Sequence, residues 1–110
     1  LVVSLMEKWE LIIIGAGAAG LTAGLYGARS GLKTLIIEEK MAGGNTVNAP
    51  VIENYPGFIS ITGQELVQKM VEQCTRFGVE IRQLEKVEGL ELDNVKKVFT
   101  NRNVYEASAI

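Results

Sequence analysis

Histidine is absent from the 110 residues, and cysteine occurs once, as Cys74. A Cys/His zinc site and a histidine-based catalytic triad are therefore ruled out within this chain. A single thiol also excludes an internal disulfide and any C-x-x-C pair. Neither sign of charge dominates, since 11 basic and 13 acidic side chains leave a formal net charge of -2. That gives no electrostatic case for nucleic acid or an anionic membrane as a partner. No apolar run approaches the roughly 18 residues of a membrane span. The opening LVVSLMEKWE lacks the basic start and small-residue cleavage site of a signal peptide. Met6 would make a natural start, so residues 1–5 read as an alternative start or an appended segment. What is present is apolar: 47% of the residues are hydrophobic, enough for a core and against disorder. The length sets an expectation of one domain or less.

Leu11 to Ile14 is a short apolar run ending at Gly15, which suits a strand buried on both faces. A helix is predicted from about Ala18 to Ser30, with Gly31 as its C-terminal cap. Lys33 to Ile37 reads as a second strand, closing a βαβ unit with a parallel pairing and a right-handed crossover. Lys40 to Ile61, which contains Gly43-Gly44, Pro50 and Pro56-Gly57, shows neither period and reads as a long loop, usually functional or disordered. Thr62 to Phe77 has the clearest helical pattern. Thr62 and Glu65 form a capping box, Leu66, Val67, Met70, Val71, Cys74 and Phe77 share a face, and Gly78 stops it. Cys74 on that face reads as a small buried thiol rather than a reactive one. Val79 to Ile81 is a third strand. Val87–Leu92, Val95–Thr100 and Val104–Ala107 form an antiparallel meander turned at Asp93-Asn94 and at Asn101 to Asn103. Ala109-Ile110 reads as the start of a further buried strand, which would make the chain a fragment.

The spacing Gly15, Gly17, Gly20, after a strand and opening a helix, is the pattern that binds a pyrophosphate. Gly15 turns the chain out of the strand, Gly17 lets the backbone approach the phosphates, and Gly20 lets the helix pack close to the strand. The helix N-terminus adds free N–H groups and the positive end of its dipole. Gly24 and Ala28 continue small residues along the same face, so the helix should lie close to the sheet. Glu38 ends the second strand, 18 residues after Gly20. A carboxylate there can accept hydrogen bonds from ribose hydroxyls and would repel a 2′-phosphate, favouring FAD or NAD over NADP. Strand alternation allows only one of Glu38 and Glu39 to face that ribose. The competing reading is a glycine-rich turn in some unrelated α/β domain.

With the loop included, the chain from about Trp9 to Ile110 resembles the N-terminal part of the thioredoxin reductase family, the low-molecular-weight FAD-dependent pyridine nucleotide–disulfide oxidoreductases. GAGAAGLTAGLYGARSGLKTLIIEE is similar to the family's FAD-binding segment. AGGNTVNAPVIENYPGF is similar to its Gly-Gly-Gln loop and the Glu-Asn-Tyr/Trp-Pro-Gly sequence after it, and ITGQELVQKMVEQCTRFGVEI to the following helix and strand.

The resemblance implies an α/β fold of the three-layer FAD/NAD(P)-binding, Rossmann-like kind, with a parallel sheet, helices on one face and the antiparallel β-meander on the other. Residues 1–110 would be the N-terminal portion of the FAD-binding domain, without the NAD(P)H domain, the redox-active cysteine pair and the C-terminal FAD segment. Gly15, Gly17, Ala18, Ala19 and Gly20 would contact the FAD pyrophosphate and Glu38 the adenosine ribose. Gly43, Gly44 and Asn45 would run beside the ribityl chain and flavin, Asn54 would hydrogen-bond near the isoalloxazine ring, and the Val87 backbone would meet the adenine. Asn45 stands where the family usually has Gln, and the chain ends just before the position of the family's Ala-Thr-Gly motif. Gly43-Gly44 could equally be a flexible turn, and Asn54 a cap on the turn before Tyr55-Pro56. Tyr55 and Phe58 read as packing, and Trp9 as a cover for the sheet edge. No residue of this chain reads as a catalytic acid, base or nucleophile.

The complete protein is expected to pass electrons from NAD(P)H through FAD to a thioredoxin-like disulfide protein, as a cytoplasmic homodimer. Two alternatives stand beside this. One is a ferredoxin–NADP reductase of the same N-terminal fold, and the other is a non-catalytic dinucleotide-binding module.

Overall fold

The computed structural model describes residues 6–110, so the reading of residues 1–5 as an appended segment lies outside the described residues. Among the described residues nine elements follow one another. They are β1 (Glu7–Ile14), α1 (Ala18–Arg29), β2 (Thr34–Ile37), a 3-10 helix (Gly44–Asn48), α2 (Gly63–Arg76), β3 (Glu80–Arg82), β4 (Val87–Leu92), β5 (Lys96–Thr100) and β6 (Val104–Ala109). The strands hydrogen-bond into one mixed sheet in the order β3-β2-β1-β6-β5-β4.

The predicted βαβ unit is present, with β1 and β2 parallel and paired from Leu11↔Thr34 to Ile14↔Ile37. All four residues of β2 are buried because both faces are covered. Ile36 joins Ala16, Leu21, Val67, Cys74 and Val79 on the helical side. Leu35 and Ile37 join Ile12, Val98, Tyr105 and Ala107 on the other. That second cluster produces the third layer. The meander shares the sheet's hydrogen bonding through β6, yet Val98 of β5 and Val87 of β4 pack on the face turned away from the helices.

β6 differs from its predicted role. Val104–Ala107 pairs antiparallel with β5 as expected. The same strand continues to Ala109 and runs parallel beside β1, pairing Tyr105 with Glu7 and Ala109 with Leu11. Ala109 is thus the end of the meander's last strand and not the start of another. Local periodicity cannot show this, because one alternating segment serves two different neighbours.

Trp9 also departs from expectation. β1 is an interior strand, so Trp9 covers no edge; it packs against the cluster around Ile12. The Glu10 and Leu11 N–H groups both donate to the Lys33 carbonyl, at 3.0 and 3.1 Å. This bulge shifts the strand's alternation, so Trp9 and Ile12, three apart, share a face. The Lys33 ammonium lies 4.6 Å from the Trp9 ring centroid.

Other corrections are small. The turn from β4 to β5 takes Asp93, Asn94 and Val95, with Leu92 paired to Lys96. The long loop is organised by its 3-10 helix and by an antiparallel bridge between Ile52 and Ile61. Helix α2 begins as predicted. The Thr62 hydroxyl accepts from the Glu65 N–H at 3.1 Å and donates to the Glu65 carboxylate at 3.0 Å. Cys74 is buried, its thiol donating to the Leu21 carbonyl at 3.1 Å, and burial pushes its pKa up. No helix among the described residues is long and apolar enough to cross a membrane.

Candidate functional site

The site grows from the end of β1. The Gly15 N–H donates to the Ile37 carbonyl at 2.8 Å, the last rung before the chain leaves the sheet. Gly15 then adopts φ +102°, a conformation other residues rarely take. Gly17 precedes α1 with an extended backbone and no side chain to cap the helix. Within the helix the first bond is Leu21 N–H to the Gly17 carbonyl, 2.9 Å. The N–H groups of Ala18, Ala19 and Gly20 therefore have no acceptor inside the helix, and the helix dipole adds positive potential at this end. A Cβ built on Gly15 or Gly17 meets nothing within 4 Å, so this side of the turn is open.

Gly20 does what its position predicted. A Cβ there would stand 1.9 Å from the Gly15 carbonyl oxygen. The close approach continues along the helix at Gly24, against Ile36, and at Gly27, against Leu11. Ala28 packs against the helix-side cluster as expected, and Gly27 adds a close approach beside it, because steps of three and four alternate on a helix.

Glu38 stands at the C-terminal end of β2. Its Oε1 accepts from the Ala16 N–H at 2.8 Å and its Oε2 from the Lys40 N–H at 2.8 Å. Each carboxylate oxygen has two acceptor directions, so each keeps one for a ligand hydroxyl. Glu38 lines a cavity of about 250 Å³ together with Ile14, Gly15, Ile37, Glu39, Glu85 and Val87. Three of the expected site residues, Gly15, Glu38 and Val87, thus meet in one place. Glu38 is half-buried and Glu39 exposed, but both border the cavity. Its lining has three carboxylates and no basic side chain, which suits a ribose with free hydroxyls and opposes a 2′-phosphate.

Sequence reasoning missed Glu85. It is 4% exposed. Its Oε2 accepts from the Tyr105 hydroxyl at 2.5 Å and from the Thr100 hydroxyl at 2.7 Å. Arg82 Nη1 and Asn103 Nδ2 donate to the Tyr105 oxygen at 3.1 and 3.2 Å. Burial, then the bond to Glu85, raises the Tyr105 pKa. Arg82 also grips Glu7 through two bonds of 2.7 and 2.9 Å, which lowers the Glu7 pKa. No local signal marks Glu85, because its partners lie 15 and 20 residues further along the chain.

The second glycine pair packs against the first turn. The Gly43 N–H donates to the Ala16 carbonyl at 2.7 Å. A Cβ on Gly44 would lie 3.4 Å from the Gly17 Cα. Gly43-Gly44 is therefore held in place and not a free turn. Asn45 is exposed in the 3-10 helix that follows. Asn54 is exposed beyond Ile52, and neither asparagine lines the Glu38 cavity. Tyr55 and Phe58 pack on each other, their ring centroids 6.1 Å apart.

Residues 9–109 match the pyridine nucleotide-disulphide oxidoreductase family. The chain belongs to this family. Among curated relatives, it is 43% identical over 102 residues to the thioredoxin reductase of Listeria innocua, covering 93% of this chain and 32% of the relative. Among solved structures it superposes on thioredoxin reductase from Streptococcus pyogenes with a TM-score of 0.87 at 43% identity, covering 92% of this chain and 33% of that one. T. acidophilum thioredoxin reductase gives a TM-score of 0.87 at 36% identity, over 93% and 34%. The chain spans about a third of the length of these family members. The α/β fold with its parallel strands and antiparallel meander is the one these thioredoxin reductases share over the matched region.

Proposed function

We propose that residues 1–110 are the FAD-binding portion of a thioredoxin reductase-like flavoprotein. The observation that carries this reading is the meeting of Gly15, Glu38 and Val87 around one cavity, next to the N–H groups that have no acceptor within α1. The pyrophosphate would lie at Gly15, Gly17, Ala18, Ala19 and Gly20, where the backbone is open at Gly15 and Gly17 and the first turn of the helix offers donors. Glu38 would take the adenosine ribose with the acceptor directions left by Ala16 and Lys40. The Val87 backbone would meet the adenine.

Gly43, Gly44 and Asn45 would run beside the ribityl chain and flavin, supported by the bond that ties Gly43 to Ala16. Asn54, exposed on the same long loop, would reach the isoalloxazine ring. FAD, when bound, would relay electrons from NAD(P)H to a disulfide. This chain's own residues bind and orient it. The partner of the whole protein would be a thioredoxin-like disulfide protein, and the family likeness favours a cytoplasmic homodimer.

The test is visible absorbance after incubation with FAD and desalting. A retained flavin band that Glu38→Ala abolishes is the expected result. A chain that holds no FAD at any concentration tried, while folded by circular dichroism, refutes the reading.

A further inference from the structure

We propose that Glu85 selects the base bound in the Glu38 cavity, admitting a 6-aminopurine and rejecting a 6-oxopurine. The inference rests on the reading that this cavity holds the adenosine end of a dinucleotide. Glu85 sits in the wall with Val87 and Glu38. Among the described residues, both hydroxyls that bond its carboxylate converge on Oε2, from Tyr105 and Thr100. Oε1 makes no hydrogen bond among the described residues and still has open surface, which leaves it available to a ligand in the cavity that Glu85 lines.

The wall is held firmly. The Glu85 N–H donates to the Glu38 carbonyl and the Leu84 N–H to the Lys40 carbonyl, both at 3.0 Å. Leu84 takes φ +59°, a conformation a leucine rarely accepts, where these bonds bend the chain around the end of β2. Arg82 and Asn103 orient the Tyr105 hydroxyl from behind.

An ionised carboxylate accepts hydrogen bonds and donates none. It suits an exocyclic amino group and opposes a carbonyl oxygen in the same position. The ribose carboxylate reads the sugar; Glu85 reads the base, two residues before the Val87 backbone. Glutamine at this position keeps one carbonyl oxygen for the two hydroxyls. Its amide group then offers the cavity a donor, which reverses the preference.

The experiment is calorimetric titration of the chain with FAD and with flavin hypoxanthine dinucleotide, its deaminated counterpart. The wild type is expected to bind FAD about tenfold or more tightly, as one charge-assisted hydrogen bond implies. In Glu85→Gln the ratio should fall to about one or invert. A wild-type ratio near one overturns the proposal without any variant, so it stays decidable if Glu85→Gln does not fold. A Glu85→Gln chain that weakens both ligands equally also overturns it, since that marks a structural role only. A wild type that binds neither ligand instead refutes the FAD reading, and the base selection with it.

Discussion

A Cβ on Gly20 would fall 1.9 Å from the carbonyl oxygen of Gly15. Neither atom can yield cheaply, because one belongs to the helix and the other to the turn that leaves β1. The closeness of helix and strand is therefore set by a missing side chain, and it keeps the open end of α1 beside the end of β2.

Gly20→Ala should destabilise the fold by about 3 kcal/mol or more, as overpacking against backbone does. Gly17→Ala is the contrast, because its Cβ meets open space. It should lose only about 1 kcal/mol, the difference between glycine and alanine before a helix. Urea titration of both variants, with FAD titration of Gly17→Ala, separates the two roles. Gly17→Ala should stay folded and bind FAD poorly.

Tyr105→Phe removes the hydroxyl that joins Arg82 and Asn103 to Glu85. Glu85 keeps the Thr100 bond but loses half its support while still buried. A loss of about 1–3 kcal/mol is expected from chemical denaturation. The raised Tyr105 pKa adds a pH signature. The folded state holds this proton more tightly, so its contribution is complete below the ordinary tyrosine value of about 10 and is lost as pH rises through the folded value. Tyr105→Phe should remove that part of the alkaline destabilisation.

The Glu7–Arg82 pair predicts the opposite limb. Arg82 lowers the Glu7 pKa, so the pair's contribution is complete above the ordinary carboxylate range of about 4 and is lost as pH falls through the depressed value. The Glu7 side chain is 42% exposed, which limits the effect to about 1 kcal/mol. Denaturation midpoints for wild type and Glu7→Gln should differ near neutrality and converge on acidification. Midpoints that stay parallel throughout would contradict this.

Cys74 should resist alkylation in the native state. It is 1% exposed, its thiol bonds the Leu21 carbonyl, and burial disfavours the thiolate. Iodoacetamide should label it quickly in denaturant and slowly without. Comparable rates would show that α1 and α2 separate readily in solution.

Much of this molecule could be read from short stretches. An apolar run ending at Gly15 marked β1, a second ending at Glu38 marked β2, and Thr62 with Glu65 marked the start of α2. Glycine spacing located the open turn because a close approach and a left-handed turn each demand a missing Cβ, wherever the chain goes later. Glu38 was legible for the same reason, since the end of β2 must lie next to that turn once the two strands pair in parallel.

Glu85 was not legible. Its burial depends on β4, β5 and β6 folding back over Leu35 and Ile37, which brings Tyr105 and Thr100 to it. Nor could sequence show that Gly43 bonds Ala16, or that β6, the last strand of the meander, also lies parallel beside β1. The amino-acid sequence by itself determined the local elements, the glycine turn and the carboxylate placed beside that turn, because these follow from side-chain period and backbone sterics within about 30 residues. Tertiary structure alone decided the partners of β6, the tie between the glycine pairs and the burial of a second carboxylate, Glu85. Those depend on hydrogen bonds and burial between segments whose separation in sequence carries no local signature.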